Sequence, residues 1–441
     1  THIKRADHPR LHHYAGRYYL GTSVCAENVA SWPMLTADCA WTTCRCEREQ
    51  MLSTSPRSSL PLSTGSFSGR DVAYGLADDG DMNAQSLTVI RSSTNGRPSV
   101  GDLSLGNVFR IQRGRYVRVH RSGPPMTYWE IWALVARARL LVVSDSSSCS
   151  PVFVGASSFV ARSIPLWEAN PDVVIWCGSR HGRRSMPAVT MQTVTIPATF
   201  VCSTVKQPCE RSVEIVDRLR CESVVEAAVR MACYSERLSG FVAICMALHR
   251  ESRFVVLSQE ESRQRAERVR SKMLECLDLY RQQKECVPYR RAQRLIAAAD
   301  PGCENPAEAA LLWVLKSVSA FEVVTQFEIV INGRRYFADI AIPGLMIIFE
   351  FDGIGKLGKD DAEFARAKRD WIQRENDLRS AGWRIHRVSW RDYEDFAALR
   401  AWAIQLLRPH QIAIPECAEA LWALPTAACD GSSRRFHVHA R

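Results

Sequence analysis

The sequence predicts a mixed α/β chain of several domains that closes on an α-β-β-β-α-β-α unit. Its 441 residues are enough for two to four domains at about 100–200 residues each. With 46% hydrophobic and 24% charged residues, the composition is that of a globular protein and excludes a wholly disordered or fibrous one. From Glu304 onward the hydrophobic period switches between helical and strand-like stretches, with turn signals at each change. No run approaches the ~18 apolar residues of a membrane span, and residues 1–8 carry charge without an apolar export core. The expected location is the cytoplasm, without a membrane partner.

The 16 cysteines follow no disulfide-framework spacing and read as reduced, small hydrophobes. Cys39, Cys44 and Cys46 come nearest to a metal cluster but lack C-x-x-C and histidine pairs. The net charge of +10, from 57 Lys and Arg against 47 Asp and Glu, biases partners toward polyanions.

In chain order, residues 1–100 read as disordered or low-complexity, because the Ser- and Pro-rich stretch 53–66 has neither a 3.6- nor a 2-residue period. In the next region, residues 101–250, residues 107–120 read as a basic β-hairpin turning at Arg113-Gly114. There Arg113, Arg115 and Arg118 lie with no acid between them, as in a phosphate-contacting wing; a charged, solvated sheet edge is the competing reading. A helix is expected from Thr127 to about Leu140. Short strands follow at 172–177 and 188–196, and helices resume from Glu210. Residues 251–302 read as a helical connector opened by a capping box at Ser258–Glu261, its arginines forming a solvated face.

Residues 303–408 carry the chemistry. Asn305-Pro306 opens a helix, Asn332-Gly333 joins two strands, and Pro343-Gly344 leads into a strand apolar enough to be central. A helix from about Asp361 ends at Gly382, Trp383–Trp390 is the fourth strand, and Asp392 caps a last helix to about Leu407. Residues 409–441 form a tail. Period 2 puts Glu350 and Asp352 on one face of the central strand, and an antiparallel neighbour brings Asp339 toward Glu350. Three converging carboxylates repel one another unless a cation sits among them, and oxygen-only ligands suit Mg²⁺ or Mn²⁺. Lys356 and Lys359 in the following loop, with Arg374 and Arg379 on the next helix, could hold a phosphate backbone.

Glu304-Asn-Pro-Ala-Glu308, Phe337-Ala-Asp339, Glu350-Phe-Asp352, Arg374-Glu-Asn-Asp-Leu-Arg379, Gly382-Trp383 and Arg387-Val-Ser-Trp390 together resemble the PD-(D/E)XK endonuclease-like superfamily, in its very-short-patch-repair-like branch. Upstream, Arg113–Val117, Gly155–Trp167 and an expected helix containing Asp217 resemble proteins that join an AbiEi-antitoxin-like winged-helix region to such a domain. The resemblance implies a restriction-endonuclease-like fold and hydrolysis of DNA phosphodiesters with Mg²⁺ or Mn²⁺, in phage defence, DNA repair or a toxin–antitoxin setting. By it, Asp339, Glu350 and Asp352 would be metal ligands and Glu308 a helix-borne acid beside them. Asp352 stands where the superfamily name promises a lysine, so Lys356 would take that role. The partners implied are DNA, a second copy of the chain and a toxin. The alternative is a non-catalytic, antitoxin-like DNA-binding regulator on a degenerate nuclease fold.

Overall fold

The computed structural model describes residues 86–92, 107–120, 126–178, 182–204, 206–209, 212–282, 287–352 and 361–425. The expected disorder of residues 1–85, the Cys39–Cys46 cluster, Lys356 and Lys359 fall outside these residues. Among the described residues no helix is long and apolar enough to cross a membrane.

The architecture is mixed α/β with several sheets. The basic hairpin forms as expected, with β2 (Val108–Gln112) and β3 (Arg115–His120) turning at Gly114, whose φ is +75°. Two things differ. Residues 86–91, expected to lack structure, form β1 (Ser86–Arg91), antiparallel to β3, so the sheet has three strands in the order β1-β3-β2. One hairpin arginine is also answered from outside it: Asp145, near the end of α1 (Tyr128–Ser146), accepts from Arg115 Nε at 2.8 Å and from Arg91 Nε of β1 at 2.9 Å. Thr127 and Glu130 form a reciprocal capping box at the start of α1, which runs past the expected end at Leu140.

A six-stranded sheet follows, in the order β10-β11-β4-β5-β9-β6. It comprises β4 (Val152–Phe153), β5 (Val173–Trp176), β6 (Arg184–Met186), β9 (Thr199–Ser203), β10 (Val213–Val216) and β11 (Leu219–Glu222), and α2 (Ala156–Ala161) follows β4 in the chain. Residues 188–196, read as one strand, fold back as β7 (Val189–Met191) and β8 (Val194–Ile196), because Gln192 takes a left-handed φ of +54°. The helix expected from Glu210 and through Asp217 is instead the β10–β11 hairpin. Asp217 and Arg218 both adopt positive φ, +46° and +68°, which closes a tight two-residue turn without glycine.

Helices α3 (Val224–Tyr234), α4 (Arg237–Ser252), α5 (Gln259–Gln282), α6 (Tyr289–Ala298) and α7 (Pro306–Lys316) then pack on one another. One hydrophobic cluster runs from Phe159 through these helices to Leu421, so packing continues across residues 302–303. Three of the α5 arginines turn away from the expected solvated face, on which Arg268 and Lys272 remain exposed: Arg263 donates to the Thr325 carbonyl, Arg265 to those of Ser252 and Arg253, and Arg270 to those of Ile296 and Ala299. They satisfy carbonyls at the ends and kinks of neighbouring elements.

The closing unit has the expected element order: α7, β12 (Val324–Ile331), β13 (Arg334–Ile342), β14 (Ile347–Asp352), α8 (Asp361–Ser380), β15 (Arg384–Ser389) and α9 (Phe396–Leu407). The first two strand pairs are antiparallel and β14–β15 is parallel, which leaves β14 inside the sheet. Ile347, Phe349 and Phe351 face the large cluster with α7 and α9, whereas Ile348 faces a smaller one with Leu378 of α8. The first part of the expected tail packs firmly. Trp313 of α7 is wholly buried, stacks on Trp422 at 4.6 Å and donates from Nε1 to the Leu421 carbonyl at 3.1 Å.

Candidate active site

The site begins with an interruption in the sheet. Pairing between β12 and β13 skips from Thr325–Ile340 to Phe327–Ala338, and pairing between β13 and β14 starts at Ile340–Phe349. Asp339 is therefore the β13 station where both neighbours let go. Opposite it on β12, buried Gln326 has a left-handed φ of +49°. Such a conformation costs roughly 1–3 kcal/mol and persists only where the surroundings enforce it. Here α5 does so: Gln259 Nε2 donates to the Gln326 carbonyl at 2.6 Å and Arg263 Nη2 to the Thr325 carbonyl at 2.8 Å.

Released from the ladder, Asp339 turns its Oδ2 to the Phe351 N–H at 2.9 Å. Among the described residues no cation pairs with it. Continuing the β13–β14 register by one step puts Glu350 beside it on the same face. Glu350 is only 8% exposed, and Arg374 Nη2 of α8 reaches its Oε1 at 2.5 Å and the Phe337 carbonyl at 2.6 Å. Arg374 thus ties the buried carboxylate to the open end of β13, whereas the sequence reading gave this arginine to nucleic acid.

Asp352, two residues on, is exposed and drawn elsewhere. Arg387 Nη1 of β15 donates to its Oδ1 at 3.0 Å, while Nη2 of the same arginine donates to Glu375 Oε2 at 3.0 Å. The Arg387 guanidinium also lies 4.6 Å from the Trp371 ring centroid, a cation–π contact. Arg379, also expected on nucleic acid, pairs with Glu375 at 2.7 Å. Burial works to raise the Glu375 carboxyl, but Arg379 and Arg387 together hold it below the ordinary range.

Glu308 lies in the first turn of α7, 3% exposed, accepting from the Glu304 N–H at 2.8 Å and Asn305 Nδ2 at 2.6 Å. Asn305 in turn caps the Ala307 and Glu308 N–H groups, so this acid completes a helix N-terminus. The buried Tyr393 hydroxyl donates to the Ala307 carbonyl at 2.7 Å. Burial first, and then the charges of Glu308, Asp392 and Asp339, hold that hydroxyl well above its usual pKa. Its ring meets Phe351 at 5.9 Å, and Trp390 meets Phe351 at 5.2 Å, so the backbone between Glu350 and Asp352 is wedged by aromatic rings.

The expected triad does not assemble as a set of three. Among the described residues no three His, Cys, Asp or Glu side chains converge closely enough to hold a metal ion. Arg387 provides the physical reason, since it takes Asp352 toward Glu375. Asp339 and Glu350 remain adjacent, and one or two carboxylates with water and a phosphate are a sufficient ligand set for Mg²⁺. The oxygen-only donors fit that ion, with Asp339 and Glu350 as the residues that would hold it. Of the wing arginines, Arg113 is exposed and Arg115 is tied to Asp145.

Sequence reading missed Gln326 and the roles of Arg374 and Arg387. The β14–β15 register pairs Glu350 with Arg387, which counting back from Gly382 could have suggested; nothing local marks Gln326 for a left-handed turn. Comparison with protein-family profiles, with curated proteins and with solved structures returns no match.

Proposed function

We propose that the chain is a metal-dependent endonuclease acting on DNA phosphodiesters, with its site at the interrupted end of the β13–β14 ladder. The observation that carries this reading is Asp339: it is freed from both ladders opposite a strained Gln326, lacks an ion pair among the described residues, and stands beside buried Glu350. A strained backbone and an unneutralised acid each cost stability, and the two coincide where chemistry would need them.

Asp339 and Glu350 are the residues that would hold Mg²⁺ or Mn²⁺. When bound, the ion supplies Lewis-acid polarisation of the scissile phosphate and a lowered pKa for an attacking water. Arg374 positions Glu350 by fixing Oε1 and keeps β13 from swinging away through the Phe337 carbonyl. The Phe351 N–H fixes the orientation of Asp339. Lys356, close after the acids in the chain, is the residue proposed to meet charge on the transferring phosphate.

The test is nicking of supercoiled plasmid with Mg²⁺ or Mn²⁺ by the wild type and Asp339→Asn in parallel. The reading expects metal-dependent nicking that falls at least ~100-fold in the variant. A second reading, a DNA-binding regulator without catalysis, is favoured by one observation: Arg374 and Arg387 already neutralise Glu350 and Asp352. It expects metal-free DNA retention and no nicking by either protein.

A further inference from the structure

An open groove of about 470 Å³ lies along β15, the strand that ends the four-stranded sheet. Its wall carries Arg379 from the end of α8, Trp383, Arg384 and His386 from β15 and the residue before it, and Leu406 from α9, with no Asp or Glu among the lining residues. The backbone adds a donor. The Arg384 N–H bonds inward to the Met346 carbonyl at 2.9 Å, so the alternation of the strand turns the Ile385 N–H toward the open edge.

The two arginines differ in what meets them. Arg379 is tied to Glu375 at 2.7 Å. Arg384 is exposed, and among the described residues no carboxylate pairs with it; its guanidinium rests near the Leu345 carbonyl at 3.5 Å and His410 Nε2 at 3.2 Å. His386 forms the floor, its ring against Phe349 and Trp402. Burial first, and then the charges of Arg384 and Arg379, hold that imidazole below its ordinary pKa, so the field in the groove is positive. The neighbouring cavity past His386 has mixed sign, since Asp392 and Asp395 stand on its wall with Arg387 and Arg391.

We infer that this groove receives the phosphodiester backbone of a nucleic acid, with the Arg384 guanidinium and the Ile385 N–H as its contacts; the choice of nucleic acid rests on the proposed function. Cations with no acid on the wall recruit a polyanion, and a guanidinium beside a backbone N–H is a donor set that phosphate oxygens accept. The groove is also continuous with the candidate site. Arg379 shares Glu375 with Arg387, and Arg387 holds Asp352, so one chain of ion pairs runs from groove to acids. Arg384 pairs in register with Ile347, three residues before Glu350. At ~3.3 Å per residue that is about 10 Å along the strands, close to three nucleotides of duplex rise.

Retention of a fluorescent DNA duplex by the full chain, without metal and across about 50–200 mM KCl, reads this contact. Arg384→Gln is expected to lower the slope of log affinity against log salt by about 1 and to weaken retention about 3–10-fold, equally for unrelated sequences. Arg268→Gln removes the same charge from an exposed position on α5 and is expected to leave the slope unchanged. Leu406→Glu, which puts an acid on the groove wall, is expected to weaken retention at least ~3-fold. Metal-dependent nicking is read separately: its absence beside this retention pattern overturns the nuclease proposal and supports the groove. The inference is overturned by no retention by the wild type, by equal slopes for Arg384→Gln and the wild type, by an equal drop in Arg268→Gln, or by polyglutamate competing as well as DNA of the same charge.

Discussion

Around Arg230 every carboxylate oxygen has a partner, whereas at the end of β14 the carboxylates are only partly covered. Glu222 accepts from Arg230 on both oxygens and also from the Gly155 N–H. Glu226 accepts from the Cys209 N–H, the Ser212 hydroxyl, the Tyr280 hydroxyl and Arg230. All three charged side chains are nearly inaccessible, and burial pushes the Glu222 carboxyl up to about 7 against the pull of Arg230. That network joins the six-stranded sheet to α3 and α5. At β14, by contrast, Asp339 receives one N–H, Asp352 is exposed, and the backbone opposite is strained. Both are acid–arginine clusters; closure marks the structural one, and an acid without an ion pair among the described residues, at a broken ladder, marks the candidate site.

The comparison breaks most visibly through stability. Arg230→Met leaves two buried carboxylates without their cation and is expected to cost about 3–5 kcal/mol in denaturant unfolding, with nicking per folded molecule unchanged. Arg374→Met, at the site, is expected to cost less, about 1–3 kcal/mol, and millimolar Mn²⁺ should restore part of the loss. No restoration by Mn²⁺ would favour the regulator reading.

A smaller effect concerns pH. Hydrogen bonding to Arg91 and then Arg115 holds the Asp145 carboxyl below its ordinary value. A depressed folded pKa stabilises above the unfolded value and the gain is lost as pH falls through the folded one. Acid titration of stability should therefore show a step below the ordinary carboxylate range that Asp145→Asn removes. The smallest effect is expected at the wing: Arg113→Ala should lower the salt slope of DNA retention by about 1 without altering the metal response.

The order of elements from α7 to α9 was legible because local turn chemistry announces it: Asn332-Gly333 and Gly382 take the positive φ their positions demand. The β10–β11 hairpin was not, since Asp217 and Arg218 adopt a turn usually written with glycine, and α3 begins close behind it. At the site, the neighbourhood of Asp339 and Glu350 followed from the expected antiparallel pairing of their two strands. The partners of Arg374 and Arg387 did not, because long side chains choose among acids that only the tertiary fold brings near. The α5 arginines show the same limit: interleaved acids suggested a solvated face, while distant carbonyls claimed three of the guanidinium groups.

The most direct measurement is Mn²⁺ binding, read as loss of the free-ion resonance, by wild type, Asp339→Asn and Glu222→Gln. The account expects a site present in the wild type and in Glu222→Gln and weakened at least ~10-fold in Asp339→Asn. Equal binding by Asp339→Asn, or none by the wild type, would contradict it.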